Sequence, residues 1–418
     1  MDILKIATAG SVDDGKSTLI GRLLYETKSI TKDKIEALEA ASKRKGLDFV
    51  DLSLLTDGLI AEREQGITID VAHIYFNSPQ RKYIIADTPG HFEYTRNMVT
   101  GASNAAVSVI LVDARNGVSE QTKRHFYIAS LLRVKEVIVA VNKMDLVDYD
   151  EAQFRQIQSD FVEKVGEASF AEQRITFIPL SSLFGENIVE VSAKMPWYKG
   201  QSLLQHLESI ELDKVSHNSS ELPARFAVQY VIRPKTEEFH DYRGYAGRLS
   251  SGTFSVGDTI QVHPSGQASV IKTIEKFGEN LEHAKAGDSI TLTLETDIDV
   301  SRGNMITKAT EAVEPQKAIG SRVCWLDSQP LTAGKTYILQ HGVNLQKAKV
   351  TALNSVMNIE TMQLEESRSE LKLNEIGFVE IKTAQPLFTD KYADNPANGS
   401  FILIDTMTNS TVGVGFVA

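Results

Sequence analysis

Two textures divide the chain. As far as Leu212, short runs of consecutive apolar residues alternate with helix-like stretches. The runs Ile3–Ala9, Lys82–Asp87, Val107–Ala114, Val137–Asn142 and Ile175–Leu180 have the length and β-branched content of strands buried on both faces. Between them, Lys16–Glu26, Glu93–Ala102, Ser119–Leu132 and Asp150–Val165 read as helices. This alternation predicts an α/β domain with a mostly parallel sheet covered by helices on both faces. Ligands of such sheets sit beyond the carboxyl ends of the strands.

After Leu212 the polar, Ser-rich stretch LDKVSHNSSELP reads as a linker ending in proline. Closely spaced strand candidates then follow, separated by Gly-containing turns: 224–232, 246–262, 269–276 and 288–295. A second set comprises 318–326, 336–341, 347–357, 375–383 and 400–408. They predict two all-β modules, each a small barrel. The expected layout is an α/β domain over 1–212, a linker over 213–223, and β-barrel domains over 224–311 and 312–418.

Composition narrows the class. A chain of 418 residues exceeds one ordinary core. Forty-four basic against 55 acidic residues give a net charge of −11, which argues against a general nucleic-acid surface. The single cysteine, Cys324, offers no disulfide or thiolate cluster and reads as a small buried apolar residue. No run is long and apolar enough to span a bilayer, and the N-terminus lacks a signal-peptide layout. A cytoplasmic protein is expected, with the N-x-S/T sequons at Asn218, Asn398 and Asn409 as chance matches.

Four loops carry candidate chemistry. Gly10–Ser17, GSVDDGKS, fits G-x-x-x-x-G-K-[ST] between a strand and a helix. In such a loop the backbone N–H groups of residues 11 to 18 converge on a phosphate at the helix N-terminus. Gly10 and Gly15 permit the turn, Lys16 neutralises phosphate oxygens, and the Ser17 hydroxyl binds Mg²⁺. Two adjacent aspartates, Asp13 and Asp14, are unexpected where an anion must sit. Asp87 ends a strand and is followed by Thr88, Pro89 and Gly90; its carboxylate suits the Mg²⁺ side, acting through water, and Gly90 leaves an N–H open to a γ-phosphate. Asn142, Lys143, Met144 and Asp145 end another strand. Asp145 can accept two hydrogen bonds from guanine, whereas adenine would leave it unpaired. Asn142 braces the loops and the Lys143 stem covers the base. In Ser181, Ser182 and Leu183, a backbone N–H near Ser182 is placed to meet the guanine carbonyl.

Taken in order, the phosphate loop, EREQGITID, DTPGH, NKMD and SSL resemble the five nucleotide motifs of GTPases, and within them the elongation factor Tu group, whose fold is a G domain with two β-barrels. That resemblance implies a GTP site that also includes Ser11, Val12 and Thr18. It implies that Thr68 closes over Mg²⁺ and γ-phosphate, that His91 orients the attacking water, and that Val12 and Ile67 form an apolar gate. Lys16, Thr68 and His91 are the implied catalytic set. Asp13 matches an acidic position that helps hold a monovalent cation; a solvent-facing aspartate is the alternative.

The strings GSVDDGKSTLIGRLLYETKSI and DTPGHFEYTRNMVTGASNA, with QYVIRP, DYRGYAGRLSSG, DIDVSRGNMI and NPANGSFILIDTMTNSTVGVG in the β region, are similar to the large-subunit (CysN-type) family of bacterial sulfate adenylyltransferase. The resemblance implies a GTPase bound to a separate small catalytic subunit (CysD type). The small subunit makes adenosine 5′-phosphosulfate and pyrophosphate from ATP and sulfate, driven by GTP hydrolysis. Leu59–Asp70 and Asp87–Thr100 are the segments expected to respond to the γ-phosphate. Two departures stand out: the loop at Thr236–His240 is longer than usual, and SSL replaces S-A-L. With no second phosphate loop before Ala418, adenylylsulfate kinase activity is not expected. Neither membrane nor nucleic acid is expected as a partner. The rival readings are an aminoacyl-tRNA-carrying translation factor and a stand-alone regulatory GTPase.

Overall fold

The computed structural model describes residues 2–44, 46, 50–55, 71–88, 95–212, 219–234, 242–311 and 313–418. The chain divides into two compact units, Met1–His217 with Asn358–Gln363, and Asn218–Met357 with Leu364–Ala418.

In the first unit the apolar runs become β1 (Ile3–Ala9), β3 (Lys82–Asp87), β4 (Val107–Asp113), β5 (Glu136–Asn142) and β6 (Arg174–Pro179). They pair in parallel in the order β3-β1-β4-β5-β6. Every residue of β4 and β5 is buried, as strands covered on both faces require. One strand escaped the apolar pattern: β2 (Ala72–Asn77) adds antiparallel to β3 at the sheet edge. Its alternating burial is that of a half-covered edge, so it has no continuous apolar run to detect.

Among the helices, α1 (Lys16–Glu26) has the expected bounds, and α2 (Lys32–Arg44) precedes α3 (Thr95–Ala102). Glu93, the expected start of α3, lies outside the described residues. In α4 (Glu120–Leu131) and α5 (Glu151–Val165), Ser119 and Asp150 are caps rather than helical residues. The Ser119 hydroxyl accepts the Thr122 N–H at 3.1 Å, and the Asp150 carboxylate accepts those of Ala152 and Gln153. One apolar cluster of this unit's core includes Leu4, Ile6, Leu19, Leu23, Val109, Leu111, Ile138 and Ile178. No helix among the described residues is long and apolar enough to cross a membrane.

In the second unit, six antiparallel strands close a first barrel: β7 (Arg225–Ile232), β8 (Gly244–Ser251), β9 (Thr259–His263), β10 (Gln267–Lys276), β11 (Ser289–Leu294) and β12 (Met305–Lys308). Their order is β9-β12-β7-β8-β11-β10, closed by β9 on β10. The second barrel comprises β13 (Gln316–Trp325), β14 (Thr336–His341), β15 (Asn344–Asn358), β16 (Ile376–Leu387), β17 (Ser400–Ile404) and β18 (Thr411–Val417). It runs β14-β17-β18-β13-β16-β15 and closes through β14 on β15. Closure removes the open sheet edges. Strands β12 and β18 were absent from the sequence expectation: one is four residues long, and the other carries two glycines. Cys324 is fully buried on β13. The sequon residue Asn398 is 3% exposed and donates to Phe388 and Asp390, so it is a packing residue.

Candidate functional site

The parallel strands bring four loops to one side of the sheet. Residues 10–15 connect β1 to α1, and two of them are left-handed: Asp13 (φ 70°) and Gly15 (φ 89°). A Cβ on Gly15 would lie 2.5 Å from the Asn142 amide nitrogen, so the position admits only glycine. Gly15 caps α1 without any side-chain hydrogen bond. The N–H groups of the first turn, Lys16 to Thr18, therefore present the positive end of the helix. Ser17 and Thr18 are half-buried, and Val12 is exposed at 42%.

The paired aspartates separate by direction. Asp13 faces solvent. Asp14 turns inward at 7% exposure, and its Oδ2 accepts the Ser11 N–H at 2.7 Å, while its own N–H donates to the Ser11 carbonyl at 3.2 Å. Burial pushes the Asp14 carboxyl up to about 6, against the lowering effect of the Ser11 hydrogen bond. The Ser11 N–H thus closes the turn of this loop.

Behind the loop, Lys16 Nζ meets Asp87 Oδ1 at 2.5 Å, both buried. The Thr8 hydroxyl donates to the same oxygen at 3.3 Å, from the residue opposite Asp87 in the β1–β3 register. Thr88 is fully buried, and its hydroxyl donates to the Thr8 carbonyl at 2.6 Å. Ser17 and Asp87 supply hard oxygen donors suited to Mg²⁺, which normally keeps waters and phosphate oxygens among its ligands. Among the described residues, no group of three or more His, Cys, Asp or Glu could hold a metal ion.

At the end of β5, Asn142 ties two loops together. Its amide donates to the Asp14 carbonyl at 2.7 Å, and its oxygen accepts the Ser182 N–H at 2.9 Å. Lys143, left-handed at φ 62°, donates to the Asp13 carbonyl and pairs with Asp113 at 2.9 Å. Burial raises the Asp113 carboxyl, but hydrogen bonds from Arg115 and Lys143 outweigh it and hold it at about 2. Met144 is fully buried and anchors the turn that carries Asp145. The Ser181 hydroxyl donates to Asp145 Oδ1 at 2.5 Å. The Ser182 N–H is thus engaged within the protein by Asn142.

Gly10 through Thr18, Asp87, Thr88, Asn142 to Asp145 and Ser181 to Leu183 thus lie in loops, or at the element ends that border them, on one side of the sheet. Ile67, Thr68, Pro89, Gly90 and His91 lie outside the described residues, as does Thr236–His240. Four participants were missed in the sequence. Asp113 ends an apolar strand, as Asp87 does, and that signal was available. Arg115 follows it by two residues. Ser119 reaches the Ser11 hydroxyl at 3.2 Å, and Arg22 reaches the 182–183 carbonyls; neither carries any local signal.

Residues 1–212 match the elongation factor Tu GTP-binding domain, and residues 318–418 match the GTP-eEF1A C-terminal domain-like family. The chain therefore carries a GTP-binding domain of the elongation factor type. Sulfate adenylyltransferase subunit 1 of Psychromonas ingrahamii is 48% identical over 420 residues, covering all of this chain and 87% of that one. The subunit 1 of Bacteroides thetaiotaomicron is 45% identical over all of this chain and 86% of its own length. The bifunctional enzyme CysN/CysC of Mycobacterium tuberculosis is 45% identical over 99% of this chain and 67% of that protein. The chain belongs to the sulfate adenylyltransferase subunit 1 family.

Proposed function

We propose that this chain is the GTPase subunit of an ATP sulfurylase, hydrolysing GTP to drive a separate small subunit. That partner forms adenosine 5′-phosphosulfate and pyrophosphate from ATP and sulfate. The observation that carries the GTP half is Asn142, bonded at once to the phosphate loop and to the loop of Ser182. Identity of 45–48% along the whole chain, barrels included, supports the sulfate half. The same identity favours this reading over a tRNA-carrying factor.

In this reading Lys16 and the first-turn N–H groups of α1 face the transferring phosphoryl, where fixed positive charge stabilises the transition state. Lys16 and Asp87 then exchange their mutual contact for phosphate and cation. Ser17, Asp87 and Thr68 would hold Mg²⁺, which supplies offsetting positive charge. His91 orients water, Val12 and Ile67 gate it, and Asp13 suits a monovalent cation; these roles rest on the family. Asp145 accepts the two guanine donors, and Lys143 covers the base. The domain scheme is 1–212, 224–311 and 312–418, joined by the linker 213–223. Location in the cytoplasm accords with this chemistry.

The deciding measurement is GTP hydrolysis by the chain with its co-purified small subunit, with and without ATP and sulfate together. Stimulation is expected; the same rate in all arms would sink the coupling. His91→Ala is expected to bind GTP normally and hydrolyse it slowly. Asp145→Asn is expected to shift preference towards xanthosine nucleotides.

A further inference from the structure

Arg22 lies on α1, outside every nucleotide motif, yet its side chain is only 17% exposed. Its Nε donates to the Ser182 carbonyl at 3.1 Å, and its Nη2 donates to the Leu183 carbonyl. The segment it grips is a tight loop closed by reciprocal backbone bonds between Ser181 and Glu186 at 3.1 and 3.2 Å. The loop sits directly against α1. A Cβ on Gly185 (φ +78°) would fall 2.2 Å from Glu26 Oε1 and 3.5 Å from Arg22 Cδ. Glu26 itself lies 3.8 Å from Arg22.

The Ser182 carbonyl and the Leu183 N–H belong to one planar peptide unit, and in a trans peptide they point in opposite directions. Holding the carbonyl against α1 therefore turns the Leu183 N–H away from α1. The Ser182 N–H, one residue earlier, is engaged by Asn142. We propose that Arg22 is a positioning residue for base specificity: by fixing the 182–183 peptide it aims the Leu183 N–H at the carbonyl oxygen of guanine. The inference rests on the guanine reading above. Arg22 touches no substrate in this assignment and acts through the loop. A guanidinium suits the task because its forked donors can grip two successive carbonyls, which a lysine cannot do as rigidly.

The test uses the chain with its small subunit and two ligands, GDP and 6-thioguanosine 5′-diphosphate. The thio analogue keeps both donors to Asp145 and replaces the carbonyl oxygen with a poor acceptor. The parent should prefer GDP by roughly tenfold, the effect of about one hydrogen bond. Arg22→Leu should weaken GDP by a similar factor while changing the thio analogue little, so that the preference collapses; Arg22→Lys should keep part of it. Equal weakening of both ligands would mark a merely structural role and overturn the proposal, as would an unchanged GDP affinity. Arg22→Lys carries the same test should the leucine variant fold poorly. Asp145→Asn in the same assay tests the guanine reading by itself. If it switches base preference while Arg22→Lys and Arg22→Leu keep the oxygen preference, only the Arg22 role falls.

Discussion

Buried polar groups gather in two places, and they are put to different uses. At the carboxyl ends of β3, β4 and β5, Asp87, Asp113 and Asn142 are each at most 2% exposed. Their partners are loop carbonyls, loop N–H groups and the cations Lys16, Lys143 and Arg115. In the second unit, Arg225 (3% exposed) on β7 makes two bonds to Asp390, both 3.0 Å. Asn395 and Asn398 donate to the same carboxylate at 2.9 Å, and Asn395 also donates to Ser251. That network joins the first barrel to the segment after β16, and its members bond to one another. Burial and charge are alike in both regions. They differ in position: only the first lies where parallel strands all end on one side, the place at which such sheets bind ligands.

The largest effect is expected in the closed network. Arg225→Met should destabilise the protein by about 3–5 kcal/mol in denaturant titrations, because Asp390 loses the buried cation that pairs with it. GTP affinity should stay within about twofold; a large loss of affinity would break the distinction between the two regions. In the open site the balance reverses. Lys16→Met should weaken GTP and GDP by about 100-fold or more, roughly 2.7 kcal/mol. Retained affinity in equilibrium binding would remove Lys16 from the phosphate role.

Asp14 gives an effect of similar size that depends on pH. Its carboxyl rises from 3.8 to about 6 in the folded chain, so the folded state holds the proton more tightly than the unfolded one. Its favourable contribution is full below pH 4 and is lost as pH rises to about 6, a swing of about 3 kcal/mol. Asp14→Asn should flatten the stability profile across that window, and superimposable profiles would refute the inward placement. The smallest effect belongs to Arg115. Its side chain is 47% exposed, and Lys143 also pairs with Asp113. Arg115→Ala should therefore change stability by less than about 1 kcal/mol and leave GTP affinity unaltered. A tenfold affinity loss would show that Arg115, rather than Lys143, fixes Asp113.

Whatever depended on neighbours in sequence could be read before any fold was known. Apolar runs announced β1, β3, β4, β5 and β6 because a strand covered on both faces needs an unbroken run. The loops around Lys16, Asp87 and Asp145 were legible because backbone recognition of phosphate and base restricts residue type at fixed spacing. Strands such as β2 and β12 were not, since short or edge strands owe their state to partners far along the chain. Only the tertiary structure decided which way the two loop aspartates face, for that depends on burial against the Ser11 turn. It also decided that Ser182 gives its N–H to Asn142, and that Arg22, 160 positions earlier, grips the same loop. Hydrogen bonds between segments this distant leave no local periodicity, because the pairing exists only once the sheet has brought the strand ends together.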